Sequence, residues 1–257
     1  MLKMENSFNL CKQTTYDCSW KFIDVIILLV LLILFFINNY FGLGFQLLNF
    51  LRFKFFIFVK EPKLFYYLNV YIHTIIFKVV SVFFIFFIVR FRHISFWDSI
   101  EEKRKIPNIN NVFLPLYLVF CVVLQIIYMQ NPLVGDIPFN SVFFGAKVLG
   151  NIVIVFSVLV VAPIIEEIIF RGVFFTSFRK YFGQKWAIFI VSFLFTFAHY
   201  PQIKEHVERI IFMFILSFMI TYVRAKTGSI KVAIILHNLY NFISLFMGFI
   251  NYLIFRY

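Results

Sequence analysis

An all-α bundle of transmembrane helices, with about seven crossings (six to eight) and one segment that lies in the interface or re-enters the bilayer, is the fold this sequence predicts. Hydrophobic residues make up 62% of its 257 positions and charged residues only 14%. The mean hydropathy of +0.92 lies far above that of a soluble globular domain. Apolar runs of crossing length recur from one end to the other, separated by short loops that hold most of the lysines and arginines.

The stretch Met1 to Lys21 reads as a polar, basic tail. Phe22 to Phe41 is the first span, with Asp24 at its rim and an unbroken apolar run from Val25 to Ile37. Phe41 to Val59 carries Arg52 and Lys54 among Phe53, Phe55, Phe56 and Phe58, which suits an interfacial or re-entrant segment better than a crossing. Tyr71 to Val89 is the second span, and its Lys78 must snorkel or face the bundle. A polar loop with the run EEKRK follows and reads as a solvated face; Val112 to Tyr128 is the third span. Ser141 to Phe178 would reach about 57 Å as one helix against a core of about 30 Å, so Pro163 is expected to break it or to open a new helix. Trp186 to Tyr200, stopped by Pro201, Ile210 to Val223, and Val232 to Phe255 complete the set. No internal repeat is visible.

The formal charge of +12 comes from residues scattered among short loops. Scattering of this kind reports topology and excludes a nucleic-acid surface. The basic side, by the positive-inside rule, puts the N-terminus in the cytoplasm and the C-terminus outside. Cys11, Cys18 and Cys121 form neither a disulfide framework nor a CxxC metal motif. The partner implied by composition is the lipid bilayer.

Chemistry concentrates late in the chain. In APIIEEIIFRG, from Ala162 to Gly172, two adjacent carboxylates sit inside an apolar helix, where each costs roughly 2.5 to 3.5 kcal/mol on insertion scales. Arg171 lies four residues after Glu167 and shares its face, whereas Glu166 points about 100° away. Glu167 therefore reads as an ion-paired structural acid, with Glu166 left for chemistry. In FTFAH, Phe195 and His199 share a face; in HNLYN, His237 and Asn241 do so while Asn238 is turned aside. Measured from the basic side, Glu166, His199 and His237 lie at similar depths of roughly 16 to 21 Å, so their side chains can meet in one layer.

The order Glu-Glu-x-x-x-Arg, Phe-x-x-x-His, His-Asn-x-x-Asn, each in its own apolar segment, resembles the CAAX-protease and bacteriocin-processing family of intramembrane endopeptidases, which includes the type II CAAX prenyl endopeptidases. The likeness covers Gly145 to Phe255, expected to be the catalytic core of a single membrane domain spanning residues 1 to 257. No departure from the three motifs is visible. The resemblance implies peptide hydrolysis without a bound metal or other cofactor. It assigns Glu166 and His199 to activating water, and His237 and Asn241 to the oxyanion. Glu167 and Arg171 are left as scaffold, Phe195 as packing that orients His199, and Asn238 as a supporting residue. It further implies a hydrophobic or membrane-associated peptide or protein substrate, and a place in the bacterial inner membrane.

Other readings use the same residues. Two histidines and a glutamate could ligate zinc as a membrane metalloprotease, although HExxH spacing is absent. A non-catalytic bacteriocin-immunity or adaptor protein of the same family would keep these residues as interhelical ties. A transporter would need its ionisable residues along a path across the bilayer, where these cluster in one layer. His73, His93 and His206 match no motif, and Ser157, Ser192 and Ser217 lack the Gly-x-Ser-x-Gly context of a serine nucleophile.

Overall fold

The computed structural model describes residues 20–41, 79–88, 113–130, 155–203 and 206–255, together with a few single positions between 90 and 101. Among them every regular element is helical. Helix α1 is Phe22–Phe41 and α2 is Phe113–Gln130. A π-helical turn, Ser157–Val161, leads into α3, Ala162–Glu167, and a second π-helical stretch, Ile168–Phe174, leads out of it. Helix α4 is Phe175–Ile203, α5 is Val207–Thr227 and α6 is Ile230–Phe255. A further helical stretch runs over Val79–Ile88. The expected interfacial segment after the first span, the EEKRK loop, the tail with Cys11 and Cys18, and the start of the fourth element lie outside the described residues.

Local chemistry explains where several of these helices begin and end. At the start of α1 the Asp24 carboxylate accepts a hydrogen bond of 2.8 Å from the Lys21 backbone N–H, half of a capping box. The C-terminus of α5 closes on Gly228, whose φ of 71° lets its N–H reach the Arg224 carbonyl at 2.9 Å. Within α4, Gly183 has φ 79° and ψ 167°, a bend between two helical pieces where a loop was expected between the fourth and fifth segments.

Of two expectations about prolines, the one for Pro163 is met in part, since it stands in the first turn of a new α-helical element, and the one for Pro201 needs correction. At Pro163 the chain neither leaves the helix nor shows a break, because Val161 and Ala162 keep right-handed helical angles. The π-helical turn bonds the Ala162 N–H to the Ser157 carbonyl, and Pro163 comes next at the opening of α3, where a missing N–H matters least. Pro201 does not stop α4, which runs on to Ile203. Pro201 removes one i→i−4 hydrogen bond and crowds the carbonyl four residues before it, and the helix ends two residues later, at Ile203.

Which faces are buried reveals the solvent. In α1, Val25, Leu28 and Leu32 point inward while Ile23, Ile26, Val30 and Ile33 are exposed. In α2, Tyr117, Cys121 and Leu124 are buried while Leu116, Val119, Val123 and Ile126 face out. Apolar residues on both faces, in helix after helix, are what lipid tolerates and what water penalises. Val207–Thr227 and Ile230–Ile250 are long and apolar enough to cross a membrane by length and composition, and Phe22–Ile33, Val79–Ile88 and Phe113–Ile127 are shorter apolar helices. A count of seven crossings therefore exceeds what the described residues establish.

Two packed clusters fix these helices against one another. One gathers Trp20 and the inner face of α1 with Ile168, Val173, Phe174 and Phe175, together with Ala187, Val191 and Phe195 of α4. The other joins Tyr117 and Cys121 of α2 with Leu216 and Ile220 of α5, and with Ala233 and Leu236 of α6. Tyr117 adds a direct tie, its hydroxyl donating to the Leu236 carbonyl at 2.7 Å.

Candidate active site

Three helices bring the acidic motif and both histidines to one point. Glu166 is the next-to-last residue of α3, where the backbone is α-helical, so the 100° offset from Glu167 holds and the two carboxylates face different neighbours. Glu166 Oε2 lies 3.6 Å from His199 Nε2 on α4 and 3.9 Å from His237 Nε2 on α6. The depth match read from the sequence is thus realised as a juxtaposition. Glu166 and His237 are buried, while the His199 side chain keeps 22% of its surface exposed.

The histidine tautomers follow from what their other nitrogens touch. His199 Nδ1 is 2.9 Å from the Phe195 carbonyl, a group that can only accept, so Nδ1–H donates. Phe195 also packs against the His199 ring with centroids 4.4 Å apart. His237 Nδ1 is 2.8 Å from Glu167 Oε1, and an ionised carboxylate likewise only accepts. In their neutral forms both histidines therefore turn a lone pair at Nε2 toward Glu166. Three acceptors facing one another need a shared proton or a donor between them, the electrostatic condition for holding and splitting a water.

Glu167 is fully buried, and Arg171 with it. Their side chains meet at 3.0 Å, the pair expected from the four-residue spacing. What the spacing could not reveal is that the same oxygen, Oε1, also takes His237. Glu167 is accordingly a bridge between Arg171 and a histidine of the layer, and its second oxygen, Oε2, is buried with no hydrogen-bond partner among the described residues.

Arg171 is in turn fixed by α5, a helix that carries none of the three motifs. Its Nε donates to Thr221 Oγ1 at 3.1 Å, and its Nη2 donates to Ser217 Oγ at 2.8 Å and to the Ser217 carbonyl at 3.2 Å. Its guanidinium also lies 4.4 Å from the centroid of the Phe195 ring. Thr221 is not singled out by the sequence, and Ser217 only as an unlikely nucleophile, not as a partner of Arg171. The available signal was a pair of hydroxyls four apart on one face of an otherwise apolar helix.

Asn241 donates from Nδ2 to the Val158 carbonyl at 2.9 Å, within the first π-helical turn. One amide hydrogen is thereby occupied and the orientation of the amide is set, leaving its second hydrogen directed elsewhere. Asn238 stands apart from these contacts, and its Oδ1 is buried without a hydrogen-bond partner among the described residues. Also among the described residues, no three His, Cys, Asp or Glu side chains are grouped as metal ligands.

Residues 148–243 match the family model described as type II CAAX prenyl endopeptidase Rce1-like. The match spans all three motifs and is consistent with the wider CAAX-protease and bacteriocin-processing family. That family is one of membrane-integral proteases, which supports peptidase activity in general terms and implies a peptide or protein substrate. No curated protein and no solved structure matches the chain.

Proposed function

We propose that this chain is an intramembrane endopeptidase that hydrolyses a peptide bond with a water activated by Glu166. The observation that carries the reading is the approach of two histidine Nε2 atoms, from α4 and α6, to within 3.6 and 3.9 Å of one Glu166 oxygen. Glu166 acts as the base, since its ionised carboxylate faces the space between the two rings and can take a proton from a water held there. His199, the more exposed of the two rings, helps hold the water and passes the proton to the leaving amine. The developing oxyanion is stabilised by His237 and by the second amide hydrogen of Asn241. Because Nδ1 of His237 is committed to Glu167, that donation comes from Nε2 once the neutral ring has taken up the proton that Glu166 draws from the water, the Glu167 carboxylate offsetting the charge, and the same proton returns by way of Glu166 and His199 to the leaving amine as the intermediate collapses.

The substrate is hydrophobic or membrane-associated, and the family match favours a prenylated peptide with a C-terminal CAAX sequence as the first probe. Purified protein should cleave a farnesylated CAAX peptide, and Glu166→Gln should abolish turnover without loss of folded yield. Loss of turnover of about a hundredfold or more is expected for a group that takes part in proton transfer. If the variant retains turnover, the water-activating role is wrong. If a chelator inhibits and added zinc restores activity, the metal-free mechanism is wrong. Cells expressing Glu166→Ala with an undiminished phenotype would point instead to an immunity or adaptor role.

A further inference from the structure

We infer that Ser217 and Thr221 on α5 form a hydroxyl cradle that positions His237 for catalysis through Arg171 and Glu167. The inference rests on the endopeptidase reading and adds a helix to it that carries none of the catalytic motifs.

The chain of contacts is continuous and buried throughout. Thr221 Oγ1 donates to the Ser217 carbonyl at 2.7 Å, which fixes its hydrogen and leaves a lone pair for the Nε–H of Arg171 at 3.1 Å. Ser217 supplies two more acceptors for Nη2, its Oγ and its carbonyl. Arg171, held on that side, offers Nη1 to Glu167 Oε1 at 3.0 Å. The same oxygen receives His237 Nδ1 at 2.8 Å and so sets which nitrogen of His237 bears the proton and where Nε2 points. Ser217, Thr221, Glu167 and Arg171 are all fully buried. Buried in this way they are out of reach of bulk water, and the planar guanidinium meets the three acceptors together in one orientation.

A cradle that served only to hold helices together would need no particular orientation of Glu167. Here the guanidinium is gripped from α5 on one edge while another edge presents a nitrogen to the carboxylate. Displacing the guanidinium therefore moves the oxygen on which His237 depends. Thr221 and Ser217 are positioning residues, since neither touches the reacting atoms.

The test is Thr221→Val, which keeps the shape and removes the hydroxyl, beside Thr221→Ser, which restores it. With full-length protein and the farnesylated CAAX peptide, kcat should fall about ten- to a hundredfold in the valine variant, the scale expected for a catalytic group misplaced by a fraction of an ångström to an ångström. KM should stay within about twofold, because the loss falls on the transition state, and the serine variant should recover most of the turnover. Wild-type turnover per folded molecule in Thr221→Val overturns the inference. Should that variant fail to fold, Ser217→Ala removes one acceptor and leaves the carbonyl in place. A reduced kcat at unchanged KM supports the cradle, and unchanged kcat overturns it.

A readout independent of turnover separates this inference from the endopeptidase reading. Nitrogen-15 resonances of the histidine rings report which nitrogen of His237 is protonated, assigned by their disappearance in His237→Asn. Thr221→Val should shift the His237 pattern away from the Nδ1-protonated form, and Thr221→Ser should not. An unaltered pattern in the valine variant overturns the cradle even if the protein proves inactive on the peptide. Retained turnover in Glu166→Gln instead overturns the endopeptidase mechanism and leaves the cradle to be judged by the resonances alone.

Discussion

Glu166 and Glu167 are neighbours of the same chemical type, yet they meet different surroundings. Glu167 is enclosed with Arg171 and His237 on one oxygen, whereas an oxygen of Glu166 stands 3.6 and 3.9 Å from the Nε2 atoms of His199 and His237. Removing Arg171 would leave a buried carboxylate still in contact with His237, and would strip Ser217 and Thr221 of the donors they accept. Breaking a buried pair from one side costs roughly 3 to 5 kcal/mol, and the surviving histidine contact puts Arg171→Ala near the lower end, about 3 kcal/mol. Thermal melts in detergent should therefore show Arg171→Ala well below wild type, with Glu166→Ala close to it and inactive. The reverse order of melting would mean that the two carboxylates exchange roles. The Glu167–Arg171 pair was legible in the sequence because it is local, four residues apart on one helix. The third partner was not, because His237 lies 70 residues away and only helix packing brings it there. The contacts of Ser217 and Thr221 are illegible for the same reason, since a hydroxyl on an apolar helix has no visible partner until a second helix is laid against it.

At the scale of elements, the site is framed by two π-helical stretches, and these are the feature that periodicity reasoning handles worst. A π-helical turn takes more residues per turn than the 3.6 assumed when faces are assigned, so face assignments drift through Ser157–Val161 and Ile168–Phe174. The first supplies the Val158 carbonyl that anchors Asn241, and the second carries Arg171 and Gly172. Gly172 has a packing reason to be glycine: a Cβ there would lie 3.1 Å from Cβ and Cγ2 of Ile100 and 3.3 Å from Cδ1 of Ile230. The Ile100 Cβ is attached directly to backbone and cannot swing aside. Gly172→Ala should thus destabilise the fold by about 1 to 3 kcal/mol, the range for forcing a methyl group into a packed interior. Gly183 makes the contrasting case, since nothing lies within 4 Å of its missing Cβ and the obstacle is its φ of 79°. Gly183→Ala is expected to cost about as much through backbone strain alone. Pairing each with Ile100→Gly, which removes both contacting carbons, separates the two causes in a double-mutant cycle of thermal melts, because in that background the cost of Gly172→Ala should shrink and that of Gly183→Ala should not. Rescue of both, or of neither, would show that the Ile100 contact is not what requires glycine at position 172.

For the whole molecule, the helical class was legible from composition, and the convergence of the motifs from equal depths along separate helices. The number of crossings was not, because counting requires a decision about the charged segment after the first span, where length and hydropathy pull in opposite directions. Parity settles much of this, and the chain offers native reporters for it. An odd number of crossings with a cytoplasmic N-terminus places Cys11 and Cys18 on the inner side and Tyr257 on the outer. Cys121 is a built-in control, since it is a free thiol fully buried between α2 and its neighbours. A membrane-impermeant maleimide applied to intact cells should leave the native protein unlabelled. Permeabilisation should expose Cys11 and Cys18, and only denaturation should expose Cys121. Tyr257→Cys should then add a label in intact cells. If that position labels only after permeabilisation, both termini lie on the same side and the number of crossings is even. The three site residues would still lie at one depth, but the segment from Phe41 to Val59 would have to be reassigned as a crossing or another span withdrawn. Labelling of the native tail in intact cells would instead invert the molecule, and the side from which substrate meets Glu166, His199 and His237 would be the opposite of the one inferred from the basic loops.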